Sequence, residues 1–241
     1  MKKNRKLKII CIIPARGGSK GIKLKNLRKV CGKPLIYYPI AAAKKSKVCD
    51  KILVSTDSHK IAKVAKKYGA DVPFLREKKL SGDRVTTELT LKKALLSYEK
   101  FYKTKFDICV FLTATNIFRK VKWIKDSVNA LRRDKNLDSA FSVHQFYKHI
   151  WHEKNKKLQK VLPWMNSYTS RQTAPKLYRE DTGIASATRS NFWRNEKRIG
   201  KKVKLIVNHD PFTDIDIHSE KDLYIAEMAM RYLKKKKLQD H

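Results

Sequence analysis

Arg16, Gly17, Gly18, Ser19 and Lys20 follow one another directly after an apolar run, Ile9 to Ile13, that ends in Pro14. The two glycines let backbone N–H groups approach an anion with no side chain in the way, and Arg16, Lys20 and the later Lys25 supply opposing charge. A strand that stops at such a turn is built to receive phosphate or another polyanion. The spacing matches neither the Gly-x-Gly-x-x-Gly dinucleotide turn nor the Gly-x-x-x-x-Gly-Lys-Ser/Thr P-loop, so both of those readings lose ground.

A second constellation stands far along the chain, where Asp214 and Asp216 flank Ile215. On a strand, the period of two places both carboxylates on one face, where their mutual repulsion invites a divalent cation. Mg²⁺ takes one or two carboxylates and completes its shell with phosphate oxygens and water, which fits this pair; taken alone, a structural or solvated pair of acids fits it as well.

Other reactive side chains carry less. Cys11, Cys31, Cys49 and Cys109 include no Cys-x-x-Cys pair, and most lie in or beside apolar stretches, which reads as reduced, partly buried thiols. Apart from His149 and His152, the histidines show no ligand spacing, and all are read as surface or loop residues. The charge is unusual: 57 Lys and Arg against 22 Asp and Glu give +35. Clustered lysines can mark a nucleic-acid surface. Here most of them occupy the polar positions of amphipathic helices, so solvated faces are the preferred reading, with a basic nucleic-acid-binding protein kept as the alternative of another class, and a positive field would still draw polyanionic substrates toward a cleft. No apolar run reaches the roughly 18 residues of a membrane span, and "MKKNRKLK" leads into a short strand and not a signal-peptide core; a soluble, cytoplasmic protein is expected.

The elements that must hold these groups are legible as apolar periodicity. Short β-branched runs recur at 7–13, 51–56, 107–112, 138–143 and 203–207, and helical patterns with apolar i, i+3, i+4 spacing occupy 34–47, 58–69, 86–102 and 120–134. Asp57-Ser58 predicts an N-cap and Gly69 a stop for the second helix. Strand and helix alternate, which predicts one α/β domain over 1–241 with a mostly parallel, doubly wound sheet. The alternation breaks after about residue 145, where Tyr147, Trp151, Trp164 and Tyr168 sit among prolines and polar residues; 145–175 is read as an insertion. The last helix, 219–237, has an apolar stripe through Leu223, Ala226, Met230 and Leu233, with Asp222 in its first turns and a Lys tail at the negative end of the helix dipole.

The string "PARGGSKGI", followed by "KN" at 25–26 and "GKPLI" at 32–36, resembles the signature of the acylneuraminate cytidylyltransferases. "ILVSTDS", "KKYGADVPFLR" and "DIDIHSEKDLYIAE" continue the resemblance in order over nearly the whole chain. It implies a nucleotide-diphospho-sugar-transferase-like fold and a homodimer in which part of 145–175 reaches the partner's site. The implied reaction joins CTP to a nonulosonic, sialic-type acid and gives a CMP-sugar and pyrophosphate. On this resemblance Arg16, Gly17, Gly18, Ser19 and Lys20 hold the triphosphate, Lys25 and Asn26 lie beside the nucleotide, and Arg76 and Thr86 sit at the cytosine. On it, too, Arg16, Lys20, Asp214 and Asp216 carry the chemistry, with Asp214 and Asp216 as ligands of a Mg²⁺ cofactor, in a phosphoryl transfer run by positioning and charge neutralisation.

Departures from the pattern concern the sugar. The chain has "LTATNIFR" at 112–119, where many relatives have Leu-Gln-Pro-Thr-Ser-Pro-Leu-Arg, so Thr113 replaces a sugar-contacting glutamine while Thr115 and Arg119 are kept. Asp181 and Thr182 stand where Asn-Gly is usual. Thr113, Thr115 and Arg171 are the sugar-site residues, with Arg171 offered to the carboxylate because guanidinium binds carboxylate bidentately. A 3-deoxy-octulosonate enzyme stays open. A sugar-1-phosphate nucleotidyltransferase would open on a Leu-Ala-Ala-Gly-x-Gly turn that the chain lacks.

Overall fold

A computed structural model describes residues 5–167, 170 and 172–239. In chain order the elements are β1 (Ile9–Pro14), the two-residue strands β2 (Lys29–Val30) and β3 (Lys33–Pro34), α1 (Tyr37–Ser46), β4 (Lys51–Ser55), α2 (His59–Lys67), α3 (Thr87–Phe101), β5 (Ile108–Phe111) and α4 (Val121–Arg133). There follow β6 (Ser139–Phe146), β7 (Trp151–Lys154), β8 (Lys157–Lys160), β9 (Leu177–Glu180), β10 (Ser186–Arg189), α5 (Ser190–Arg194), β11 (Val203–Asn208) and α6 (Glu220–Gln239).

The main sheet runs β11-β6-β10-β5-β1-β4, with β9 paired to the far part of β6. β1 pairs in parallel with both β4 and β5, and β6 with β11. β1 shows why its run is unbroken by polar residues: Ile9, Cys11 and Ile13 pack with α1, α2, α4 and α6 on one face, while Ile10 and Ile12 pack with α3 and α5 on the other. A strand covered on both faces has no solvent side to alternate toward.

The mostly parallel sheet with helices on both faces is as expected; two details differ from the sequence pattern. The βα alternation is interrupted by β10, which lies antiparallel in the middle of the sheet, between β5 and β6. Its Ser186, Ala187 and Thr188 are small and buried, so the strand has no apolar run to betray it. Its Thr188 hydroxyl is satisfied by Ser139 and by the Arg198 carbonyl. The second correction concerns Asp214 and Asp216. β11 ends at Asn208, Asp210 caps a 3₁₀ turn over Pro211–Asp214 by accepting from the Phe212 N–H, and Asp216 lies in the irregular segment beyond. The shared strand face does not exist.

Several local signals hold. Ser58 caps α2 by accepting from the Ile61 N–H, and Gly69 takes φ +87° just past its end. Between β6 and β9 the chain leaves the sheet for the β7–β8 hairpin, whose turn residues Asn155 and Lys156 both have positive φ and whose Trp151 and Leu158 are exposed. Tyr168 of the aromatic cluster lies outside the described residues. α6 buries Leu223 and Ala226 and opens with a reciprocal cap: Asp222 accepts from the Ser219 N–H at 2.8 Å, and Ser219 Oγ accepts from the Asp222 N–H. Its remaining acids reach the first quarter of the chain, Glu220 to Arg28 and Glu227 to the Cys31 N–H.

Candidate active site

The loops after β1, β4, β5 and β11 gather at one end of the sheet, where open α/β folds bind ligands. The wall between the first two of these loops, the 76–90 segment and β5 encloses a cleft of about 380 Å³, lined among others by Arg16, Lys25, Arg76, Asp83, Thr87 and Thr113. That volume suits a nucleotide-sized ligand.

Acids already occupy the anion-binding groups. The Gly17 N–H donates to Asp57 Oδ1 at 2.8 Å, Arg16 meets Asp83 at 2.8 Å, and Lys20 meets the same carboxylate at 2.7 Å. Gly18 faces open space on its side-chain side, leaving its backbone approachable. Ser19 closes the turn by donating its N–H to the Gly17 carbonyl. Lys25 donates to the Ile217 carbonyl at 3.0 Å; burial pulls its pKa down, while Asp216 nearby opposes the shift. Arg76 donates through Nε to Ser81 Oγ at 3.1 Å, and burial likewise lowers its pKa against the pull of Asp57. Sequence reasoning passed over Asp83, an acid in a strongly basic region that pairs with both Arg16 and Lys20.

Two of the residues expected at the nucleotide do not line the cleft. Asn26 is buried and supports the loop from beneath, its amide donating to the Arg16 carbonyl at 3.0 Å. Thr86 is the N-cap of α3, its hydroxyl accepting from the Leu89 N–H, so Thr87 and Thr90 line the cleft in its place. Gly21, also passed over, is required by packing: a Cβ there would lie 2.2 Å from the His218 carbonyl oxygen. A third glycine within five residues of the first was the signal.

The side expected to take the sugar is built around Arg119. Its buried guanidinium donates to the carbonyls of Ile184 (2.8 Å), Thr113 (2.7 Å) and Gly183 (2.7 Å), so one side chain fixes the loop after β5 to the turn before β10. Burial pushes its pKa down to about 10. Thr113 lines the cleft but turns its hydroxyl to Asn116 Oδ1 at 2.7 Å, and Gly183, at φ +79°, presses so close that a Cβ would lie 2.3 Å from Thr113 Cγ2. Thr115 enters through its backbone, accepting from the Ile217 N–H. Arg171 lies outside the described residues.

Asp214 and Asp216 are each about half exposed, and each has a side-chain partner, Asp214 the Arg179 guanidinium and Asp216 the His218 Nε2 at 2.8 Å. Among the described residues no group of three or more His, Cys, Asp or Glu side chains could hold a metal ion. Two hard carboxylates fit Mg²⁺ if phosphate oxygens and water complete its shell.

Comparison with known proteins agrees with this geometry. Residues 10–238 match the family described as cytidylyltransferase. The CMP-N,N'-diacetyllegionaminic acid synthase of Campylobacter jejuni subsp. jejuni serotype O:2 is 37% identical over 92% of this chain and 94% of its own length. A post-translational flagellin modification protein B of Campylobacter coli is 34% identical over 92% of the chain and 95% of its own. The solved structure of a CMP:2-keto-3-deoxy-manno-octonic acid synthetase complexed with CTP aligns with a TM-score of 0.67, covering 93% of the chain and 99% of that one, at 15% identity. With its basic Arg-Gly-Gly-Ser-Lys turn, its cleft at the strand ends and a match over nearly its whole length, the chain belongs to the cytidylyltransferase family.

Proposed function

We propose that the protein joins CTP to a nonulosonic acid, giving the CMP-sugar and pyrophosphate. The observation that carries this reading is the convergence of Arg16, Lys20, Lys25 and Arg76 on one cleft, beside the loop that bears Asp214 and Asp216, in a chain similar to a CMP-legionaminic acid synthase. In the reaction, the anomeric oxygen of the 2-keto acid forms a bond to the α-phosphorus. The bond from that phosphorus to the bridging oxygen breaks, pyrophosphate leaves with the electron pair, and the hydroxyl proton passes to solvent.

Arg16 and Lys20 exchange Asp83 for triphosphate oxygens, and the open backbone of Gly18 and the ammonium of Lys25 neutralise charge beside them. Arg76 and Thr87 border the base. Arg119 keeps the Thr113 and Gly183 backbones in register for the sugar. Mg²⁺ held by Asp214 and Asp216, when bound, would neutralise phosphate charge and lower the pKa of a coordinated hydroxyl. We assign the exposed β7–β8 hairpin, within 145–175, to the contact of a homodimer. No helix among the described residues is long and apolar enough to cross a membrane, and a cytoplasmic site of action is part of the reading.

The test is pyrophosphate release from CTP and Mg²⁺ across legionaminic, pseudaminic and N-acetylneuraminic acids, 3-deoxy-octulosonate and sugar-1-phosphates. Release with a nonulosonic acid, abolished by EDTA, is the expected result. Release with a sugar-1-phosphate alone, or with no acid in the set, would overturn it.

A further inference from the structure

Arg179 stands on β9, opposite His144 of β6, and sequence reasoning gave it no role. Its guanidinium bridges two carboxylates of different standing. One is Asp181, whose side chain is only 3% exposed and which accepts from Arg179 Nη2 at 3.0 Å and, through its other oxygen, from Asn208 Nδ2 at 2.6 Å. The other is Asp214, 52% exposed, on the 3₁₀ turn after β11. Asp181 is thus a fixed anchor, tied to the end of β11 by Asn208, whose Oδ1 in turn accepts from the Asp210 N–H and the Thr213 hydroxyl of that same turn. Asp214 is the open end of the bridge.

We infer that Arg179 is a resident cation for Asp214, a positioning residue that holds the carboxylate in place and must yield it when a divalent ion arrives. The inference rests on the metal reading of Asp214 and Asp216 given above. A guanidinium and a divalent ion repel each other and compete for the same oxygen lone pairs. The second carboxylate also has a partner, His218 Nε2 at 2.8 Å. Two partnered carboxylates with no third protein ligand among the described residues make a poor site for a bare ion. They make a good one for an ion that brings phosphate oxygens with it. The device therefore couples metal to nucleotide: each raises the affinity of the other by the same factor, because both act on one exchange. Arg179 keeps Asp181 after the exchange, so the guanidinium swings locally and does not leave the site.

Mn²⁺ binding, read by the paramagnetic resonance of the free ion with and without CTP, tests this without turnover. The wild-type protein should bind Mn²⁺ weakly alone and much more tightly with CTP. Arg179→Gln should bind Mn²⁺ alone five- to tenfold more tightly and show a correspondingly smaller gain from CTP. Arg179→Lys, which keeps the charge but loses the planar fork, should move in the same direction by less. Thermal melts identify any variant that is misfolded, and the lysine variant then carries the test. Unchanged or weaker Mn²⁺ binding by folded Arg179 variants overturns the inference and leaves the metal site standing. If Asp214→Asn and Asp216→Asn leave Mn²⁺ binding unaltered, the metal reading fails and the inference with it.

Discussion

Replacing Arg119 by methionine removes three charge-assisted hydrogen bonds to carbonyls while keeping most of the side-chain volume. At roughly 1.5–3 kcal/mol each, the gross loss is about 4–9 kcal/mol. Against it stands the cost of burying the charge. Burial pulls the guanidinium pKa down to about 10, a fall worth about 3 kcal/mol at ~1.4 kcal/mol per pH unit. The Gly183 carbonyl also keeps the Thr113 N–H as a partner, which softens the loss. The net destabilisation comes to about 3 kcal/mol, or a fall in Tm of roughly 6–12 °C for a chain of this size. Arg119→Lys gives the sharper forecast. An ammonium retains the burial cost but cannot reach three divergent carbonyls, so lysine should be no better than methionine. Thermal denaturation followed by circular dichroism gives both numbers, and CTP titration shows whether the Thr113 side of the cleft has shifted. A lysine variant melting within about 2 °C of wild type would refute the reasoning, because it would show that charge at this position, and not the fork of donors, sets the stability.

Further outcomes follow from the same geometry. Asp83→Asn frees Arg16 and Lys20, so CTP should bind severalfold more tightly in calorimetry; a tenfold weaker Kd would show that Asp83 supports the bound state. Gly21→Ala puts a methyl 2.2 Å from the backbone oxygen of His218, so the protein should stay folded by circular dichroism while CTP affinity falls at least tenfold; wild-type affinity would mean the loop yields freely. Glu99 is buried, which raises its pKa, but bonds from Arg194, the Phe106 N–H and Lys105 outweigh burial and hold it below the usual carboxylate range. A depressed carboxylate contributes stability above its unfolded pKa of about 4.3 that is lost as pH falls through the folded value. Glu99→Gln should therefore flatten the acid limb of a stability-versus-pH curve; an unchanged limb would place the acid sensitivity elsewhere.

The fold was legible wherever burial acted on a run of residues. β1, β4 and β5 announced themselves because both faces are covered, and α2 because Ser58 and Gly69 bracket an apolar stripe. β10 was not, since its identity comes from the neighbours it fits between and its own residues are small. In the site, the basic turn was legible because glycines and cations must be adjacent there in sequence. Asp214 and Asp216 were identified as a pair but assigned the wrong geometry: alternation imitates a strand, and Asp210-Pro211 turns the chain before it can form one. Thr86 was placed near the cleft by resemblance, but the capping of α3 by its hydroxyl depends on a helix start that the resemblance does not report. Asp83, Arg119 and Arg179 owe their roles to partners remote in sequence, and no local pattern reports those.

The straps between the first loop and the start of α6 set a timetable for synthesis. Lys25 bonds Ile217, 192 residues later, and Cys31 bonds Glu227, 196 residues later, while Gly21 lies against His218. A ribosome adding about 5–20 residues per second needs roughly 10–40 s to cover that interval. Within it β1 can pair first with β4 and then with β5, yet the basic loop lacks the surface against which it is shaped. The nascent chain can thus acquire the β4-β1-β5 part of its sheet well before the cleft is complete, and a protein truncated before residue 217 would be a scaffold with an unformed mouth.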